Sequence, residues 1–231
     1  LPTRGYGTQV TPYPVSLSNE VRKTGKRSFI KLLSGFGGIN SAVTWTLGNP
    51  DNNPEHLTPL ENWNEIAETT ISSPDDLTQI YRDTVGSYPK FFKMDLLSKL
   101  GFVGIEKLMA KVRETQPDFA LDSERTVVIV ANRSSSLKND LDYQETIKDK
   151  DDYFPSPALF VYTLPNIVAG EVAIRHKLFG ETSCYVLTDE QSMAPLVQST
   201  LRMTNATHAV TAWLECSSAE RYYAHLKLLT L

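Results

Sequence analysis

Apolar positions recur along this chain with two different periods. Residues 28–33 and 41–47 read as strands, and the second alternates, with Val43, Trp45 and Leu47 on one face. Residues 64–71 form a further short strand. From 93 to 114 the spacing turns helical, with Leu97, Leu100, Ile105, Leu108, Met109 and Val112 on one stripe. The β-branched run 126–131 is a strand of the kind buried on both faces. A polar loop is expected over 132–152. A helix follows over 165–178, opened by Pro165, whose missing N–H costs nothing in a first turn. Then come a strand at 182–188, a helix at about 190–204, a strand at 208–216 and a helix-like tail to Leu231.

Turn chemistry divides this series. Ser34-Gly35-Phe36-Gly37-Gly38-Ile39-Asn40 joins the first two strands, and its glycines allow positive φ and close backbone approach. Residues 48–62 are polar and hold three prolines, which reads as a linker. The expected organisation is a strand pair at 1–49, a linker at 50–62 and a domain at 63–231. Alternating strands and helices of this length predict a layered α/β fold with a mixed or parallel sheet.

Composition narrows the function classes. The formal net charge is −4 over 231 residues, and no basic block is present, which disfavours a nucleic-acid partner. No apolar run reaches the roughly 18 residues of a membrane span. The first residue is Leu, so a processed product or part of a longer polypeptide is expected. The two cysteines, Cys184 and Cys216, lie in strand-like surroundings with neither CxxC spacing nor a histidine at metal-ligand spacing. No metal and no cofactor are expected, and a reducing cytoplasm suits two lone thiols.

Several segments together resemble the β-ketoacyl synthase (condensing-enzyme, thiolase-like) family. Lys93-Met94-Asp95 and the helix through Leu108 are similar to a helix of that family's first half, and 126–130 to the strand after it. The stretch from Leu164-Pro165-Asn166 to Leu178-Phe179-Gly180 resembles the helix that leads to the nucleophile strand. Thr204 to Glu215 resembles the strand that completes the first half. Gly35-Phe36-Gly37-Gly38-Ile39-Asn40 resembles the Gly-Phe-Gly-Gly-x-Asn turn at the family's C-terminal end. A family tail therefore precedes a family first half, which fits an internal piece of a tandem protein, a gene fusion or a permuted arrangement.

The departures matter more than the matches. The strand 182–188 runs into a helix where the family carries its nucleophilic cysteine, and Asp189 stands in that place. None of His56, His176, His208 and His225 falls in a family histidine motif, so no catalytic residue carries over. A carboxylate suits a helix start as a cap and satisfies the same field that activates a thiolate, but it is a weak nucleophile. Cys184 reads as a small buried hydrophobe. His176 complements a helix C-terminus, and His208 is expected at a sheet edge or interface.

The resemblance implies further roles. Phe36, Gly37 and Gly38 would gate an acyl pocket, with a plain hairpin turn as the alternative. Val168 and Val172 would line a pocket or interface. Ser183, Cys184, Tyr185, Val186, Leu187 and Thr188 would pair two subunits through one continuous sheet. The expected function is a non-catalytic, chain-length-factor-like subunit in fatty-acid, polyketide or polyene biosynthesis. Its partner would be an active ketosynthase, or a second copy as a dimer, with an acyl-carrier protein as a further partner. The alternatives are one half of a split or tandem β-ketoacyl synthase completed by another chain, and a stand-alone structural domain.

Overall fold

The computed structural model describes residues 28–34, 40–46 and 63–230. The chain divides into two compact units, Leu1–Pro59 and Leu60–Leu231. In the first, β1 (Ser28–Ser34) and β2 (Asn40–Thr46) pair antiparallel, with Ser28 opposite Thr46 and Ser34 opposite Asn40. The candidates Phe36, Gly37 and Gly38, and the segment expected as a linker, lie outside the described residues.

The second unit is built on a five-stranded mixed sheet. Its strands are β3 (Asn64–Ser72), β4 (Thr126–Asn132), β5 (Thr182–Val186), β6 (His208–Ser218) and β7 (Arg221–Thr230). Their order is β3-β7-β6-β4-β5. β4 runs parallel to β5 and β6, while β7 runs antiparallel to β6 and β3. All seven residues of β4 are buried, as its unbroken β-branched run requires of a strand covered on both faces.

One face of the sheet carries α1 (Leu77–Thr84), α2 (Leu96–Thr115) and α5 (Ile167–His176). α2 is capped by Asp95, which accepts from the Ser98 amide. It settles close to its neighbours because two of its core-facing positions are glycines. A Cβ at Gly101 would stand 2.3 Å from Val168 Cγ2, and one at Gly104 2.8 Å from Leu226 Cδ1. The core on this side joins Leu100, Phe102, Leu108, Val168, Val172, Leu214 and Leu226. The opposite face carries α6 (Met193–Met203), whose Met193, Val197 and Leu201 pack on Val127, Ile129, Ala209 and Trp213.

Three expectations from the sequence are corrected. The tail is the strand β7, not a helix. Ala224, Leu226 and Leu228 are fully buried on one side while His225 and Lys227 face the other, a period of two that only pairing with β3 and β6 makes continuous. The segment 132–152 is not all loop, since it contains α3 (Leu137–Glu145), and α4 (Pro157–Val161) follows soon after. His208 opens β6, an inner strand between β7 and β4 rather than an edge, and its ring packs edge-on against Phe119. At the boundaries, α5 begins at Ile167 rather than Pro165 and ends at Lys177 in the left-handed region with φ 54°.

Candidate functional site

β5 lies at the end of the sheet with β4 as its sole strand neighbour among the described residues. Its other edge is a row of N–H and C=O groups without strand partners. Ser183, Cys184 and Tyr185 are half-buried, and Val186 is 58% exposed. Strand pairing continues one residue further, as the Leu187 amide donates to the Asn132 carbonyl. Leu187 packs on the α6-side core and Thr188 leads into the turn. The turn joining α4 to α5 touches this strand, for the Cys184 thiol donates to the Pro165 carbonyl at 3.3 Å.

The turn after β5 carries Asp189 in extended backbone, φ −157° and ψ 164°. Its Oδ1 accepts from the Ser192 amide at 2.9 Å and from the Ser192 hydroxyl at 2.8 Å. Its Oδ2 accepts from the Thr188 hydroxyl at 3.0 Å. Asp189 thus caps a single 3-10 turn, Glu190–Ser192, which runs into α6. The Ser192 hydroxyl and amide, then Thr188, hold its carboxyl below the usual carboxylate range. Burial pushes the thiols of Cys184 and Cys216 up to about 11, so neither is a thiolate at neutral pH.

Val168 and Val172 are each 1% exposed and pack against α2 in the closed core. Neither lines the cavity beside the Asp189 turn described below. His176, with Arg175, is bonded to Glu106 of α2 at 3.1 Å and 3.0 Å. Burial would raise the Glu106 carboxyl, but His176 and Arg175 outweigh it and hold the group below its ordinary range. The pair therefore clamps α5 to α2.

A cavity of about 540 Å³ opens beside the Asp189 turn, on the α6 side of the sheet. Trp63, Met193 and Leu229 give it an apolar wall, and Glu65, Glu190 and Lys227 a charged one. The charged wall is a network. Lys227 Nζ lies 2.8 Å from Glu65 and 3.4 Å from Glu68, and the His225 ring sits between Glu68 and Glu190. A helix-like reading of the tail to Leu231 hides this group. The alternation of Ala224, Leu226 and Leu228 is the signal that puts His225 and Lys227 together on the other face. Among the described residues no set of three or more His, Cys, Asp or Glu is arranged to hold a metal ion. No helix there is long and apolar enough to cross a membrane.

No family model and no curated protein matches the chain. Solved structures do match it in fold. One, described as the ishigamide ketosynthase/chain length factor, is 18% identical with a TM-score of 0.54 over 69% of this chain. The match spans 48% of that structure's own chain, about half its length. A second is a ketosynthase (ApeO) in complex with its chain length factor (ApeC) from Xenorhabdus doucetiae, 12% identical, TM-score 0.53, over 73% of this chain and 78% of that one. A third, AntDE:AntF, is described as a type II PKS acyl-carrier protein in complex with its ketosynthase bound to the hexaketide. It is 12% identical with a TM-score of 0.55, over 73% of this chain and 62% of that one. The mixed sheet flanked by helices on both faces is the ketosynthase-like, thiolase-type layered fold.

Proposed function

We propose that this chain is a non-catalytic ketosynthase-like subunit of the chain-length-factor kind, pairing with an active ketosynthase in fatty-acid, polyketide or polyene assembly. The observation that carries this reading is the turn after β5. Where the resemblance expects a nucleophile, a carboxylate accepts from Ser192 and Thr188 through both of its oxygens. A helix start stabilises either a thiolate or a carboxylate, but a carboxylate attacks a thioester poorly. The open edge of β5, with Ser183 to Thr188, is the surface we assign to subunit pairing, because an added strand satisfies its free backbone groups. Neighbours described as ketosynthase–chain length factor and ketosynthase–acyl-carrier complexes support a ketosynthase and an acyl-carrier protein as its partners. On the resemblance alone, Phe36, Gly37 and Gly38 are assigned to gating. Val168 and Val172, closed in the core, are assigned to positioning α5 rather than to touching an acyl chain.

A second reading is one half of a split or tandem β-ketoacyl synthase, completed by another chain. It is favoured by the coverage of about half of one neighbour and by α6 covering only part of its sheet face. One experiment separates the two. The chain is incubated with an acyl-carrier thioester, alone and with a discrete polyketide ketosynthase, and read by intact mass and light scattering. The subunit reading expects no acyl adduct on this chain and a one-to-one complex that alters product length. An acyl group on this chain overturns it.

A further inference from the structure

The cavity beside the Asp189 turn has an unmet hydrogen bond in its lining. Side chains alternate along β6, which puts Thr211 on the same sheet face as Ala209 and Trp213. Thr211 is 7% exposed and lines the cavity. Among the described residues its hydroxyl has no hydrogen-bond partner. A hydroxyl so placed is costly to leave unpaired, and it is satisfied by water in the cavity or by a ligand that displaces the water.

The walls select the ligand. Glu65 Oε2 is taken by Lys227 and Glu190 Oε1 by His225. One oxygen of each carboxylate is thereby left without a protein partner among the described residues. Glu68, which also contacts His225 and Lys227, is a third carboxylate. Three carboxylates thus share one ammonium, and the group stays net negative whichever charge the ring carries, which favours a cation over an anion. A bare ion gains nothing from the apolar wall of Trp63, Met193 and Leu229. An organic ammonium uses both walls. Its N–H groups donate to carboxylate and to the Thr211 oxygen, while its apolar body covers the indole, whose face also attracts a cation. A volume of about 540 Å³ lies within the range of small-molecule sites.

We propose that this cavity binds a small organic ammonium with an aromatic or apolar body, held by Thr211, Glu65 and Glu190 and covered by Trp63. The site does not depend on pairing with a ketosynthase.

The test is calorimetric titration of the whole chain at neutral pH with 2-phenylethylamine, 2-phenylethanol and phenylacetate. These probes share a shape and differ in charge. The amine should bind about tenfold tighter than the alcohol, the size of one charge-assisted hydrogen bond, and phenylacetate should bind weakest. Thr211→Val keeps the shape of the side chain and removes its hydroxyl. It should weaken the amine about tenfold and leave Tm unchanged or raised, because no protein hydrogen bond is lost. Glu190→Gln should weaken the amine and spare the alcohol. Equal binding of the three probes, or binding of none, overturns the site. So does an amine affinity that Thr211→Val leaves unchanged, or a large fall of Tm in that variant. Should a variant fail to fold, the order of the three wild-type affinities decides by itself.

Discussion

One face of the five-stranded sheet is sealed by α2 and α5, with α1 beside them, and there Ile71, Leu214, Leu226 and Leu228 are fully buried. The other face carries α6 over β4 and β6 and leaves Glu65, Glu68 and Lys227 in reach of water. The first face is finished by shape, the second by charge. Helices come close enough to seal a face only where small residues permit it, as Gly101 and Gly104 do. On this second face the outward positions of β3 and β7 hold ion pairs instead. The cavity, the Asp189 turn and the contacts of His225 with Glu68 and Glu190 all sit on this second face. The chain therefore sets a closed apolar core on one side of the sheet against an open charged surface on the other.

Substitutions on the sealed face should cost most. Gly101→Ala places a methyl 2.3 Å from Val168 Cγ2 and 2.9 Å from Leu214 Cδ1, both held in the core. A destabilisation of about 1–3 kcal/mol is expected, visible as a fall of several degrees in Tm. Adding Val168→Ala should recover part of the loss, and strict additivity of the two would show that the crowding lies elsewhere. On the other face, Lys227→Met removes an ammonium that is 34% exposed. Screening by water limits the expected change to about 0.5 kcal/mol or less in urea unfolding. A loss as large as that of Gly101→Ala would erase the contrast between the faces.

The smallest effect belongs to Asp189 and is confined to acid. Its carboxyl is held below the ordinary value by Ser192 and Thr188. A depressed folded-state value means that the cap contributes fully above the unfolded carboxylate range and is lost as pH falls through the folded value. Asp189→Asn, which keeps an accepting oxygen but cannot titrate, should leave Tm at pH 7 nearly unchanged and flatten its decline below pH 4. A variant that tracks the wild type through that range would remove Asp189 from the acid response.

Much of the sealed face was legible in the chain. The run Thr126–Ala131 declared a doubly buried strand, and the spacing of Leu97, Leu100, Ile105, Leu108 and Val112 declared α2. Both signals are periods of burial, which local sequence carries directly. The turn at Asp189 was legible as a strand end running into a helix start. The second face was not. Its residues are polar, and polar residues at the surface carry no period that singles out a partner.

What the amino-acid order determined alone was therefore the set of elements with strong periodicity, the layered α/β class, and the carboxylate of Asp189 in the turn that leads from β5 towards α6. What only the tertiary structure decided was the role of the last ten or so residues and the company they keep. His225 meets Glu190 across 35 positions and Glu68 across 157. Those meetings exist because β7 enters the sheet between β3 and β6. Periodicity reports which side of an element is buried, whereas strand order is set by the closing of the whole core, and no local stretch of the chain contains that information.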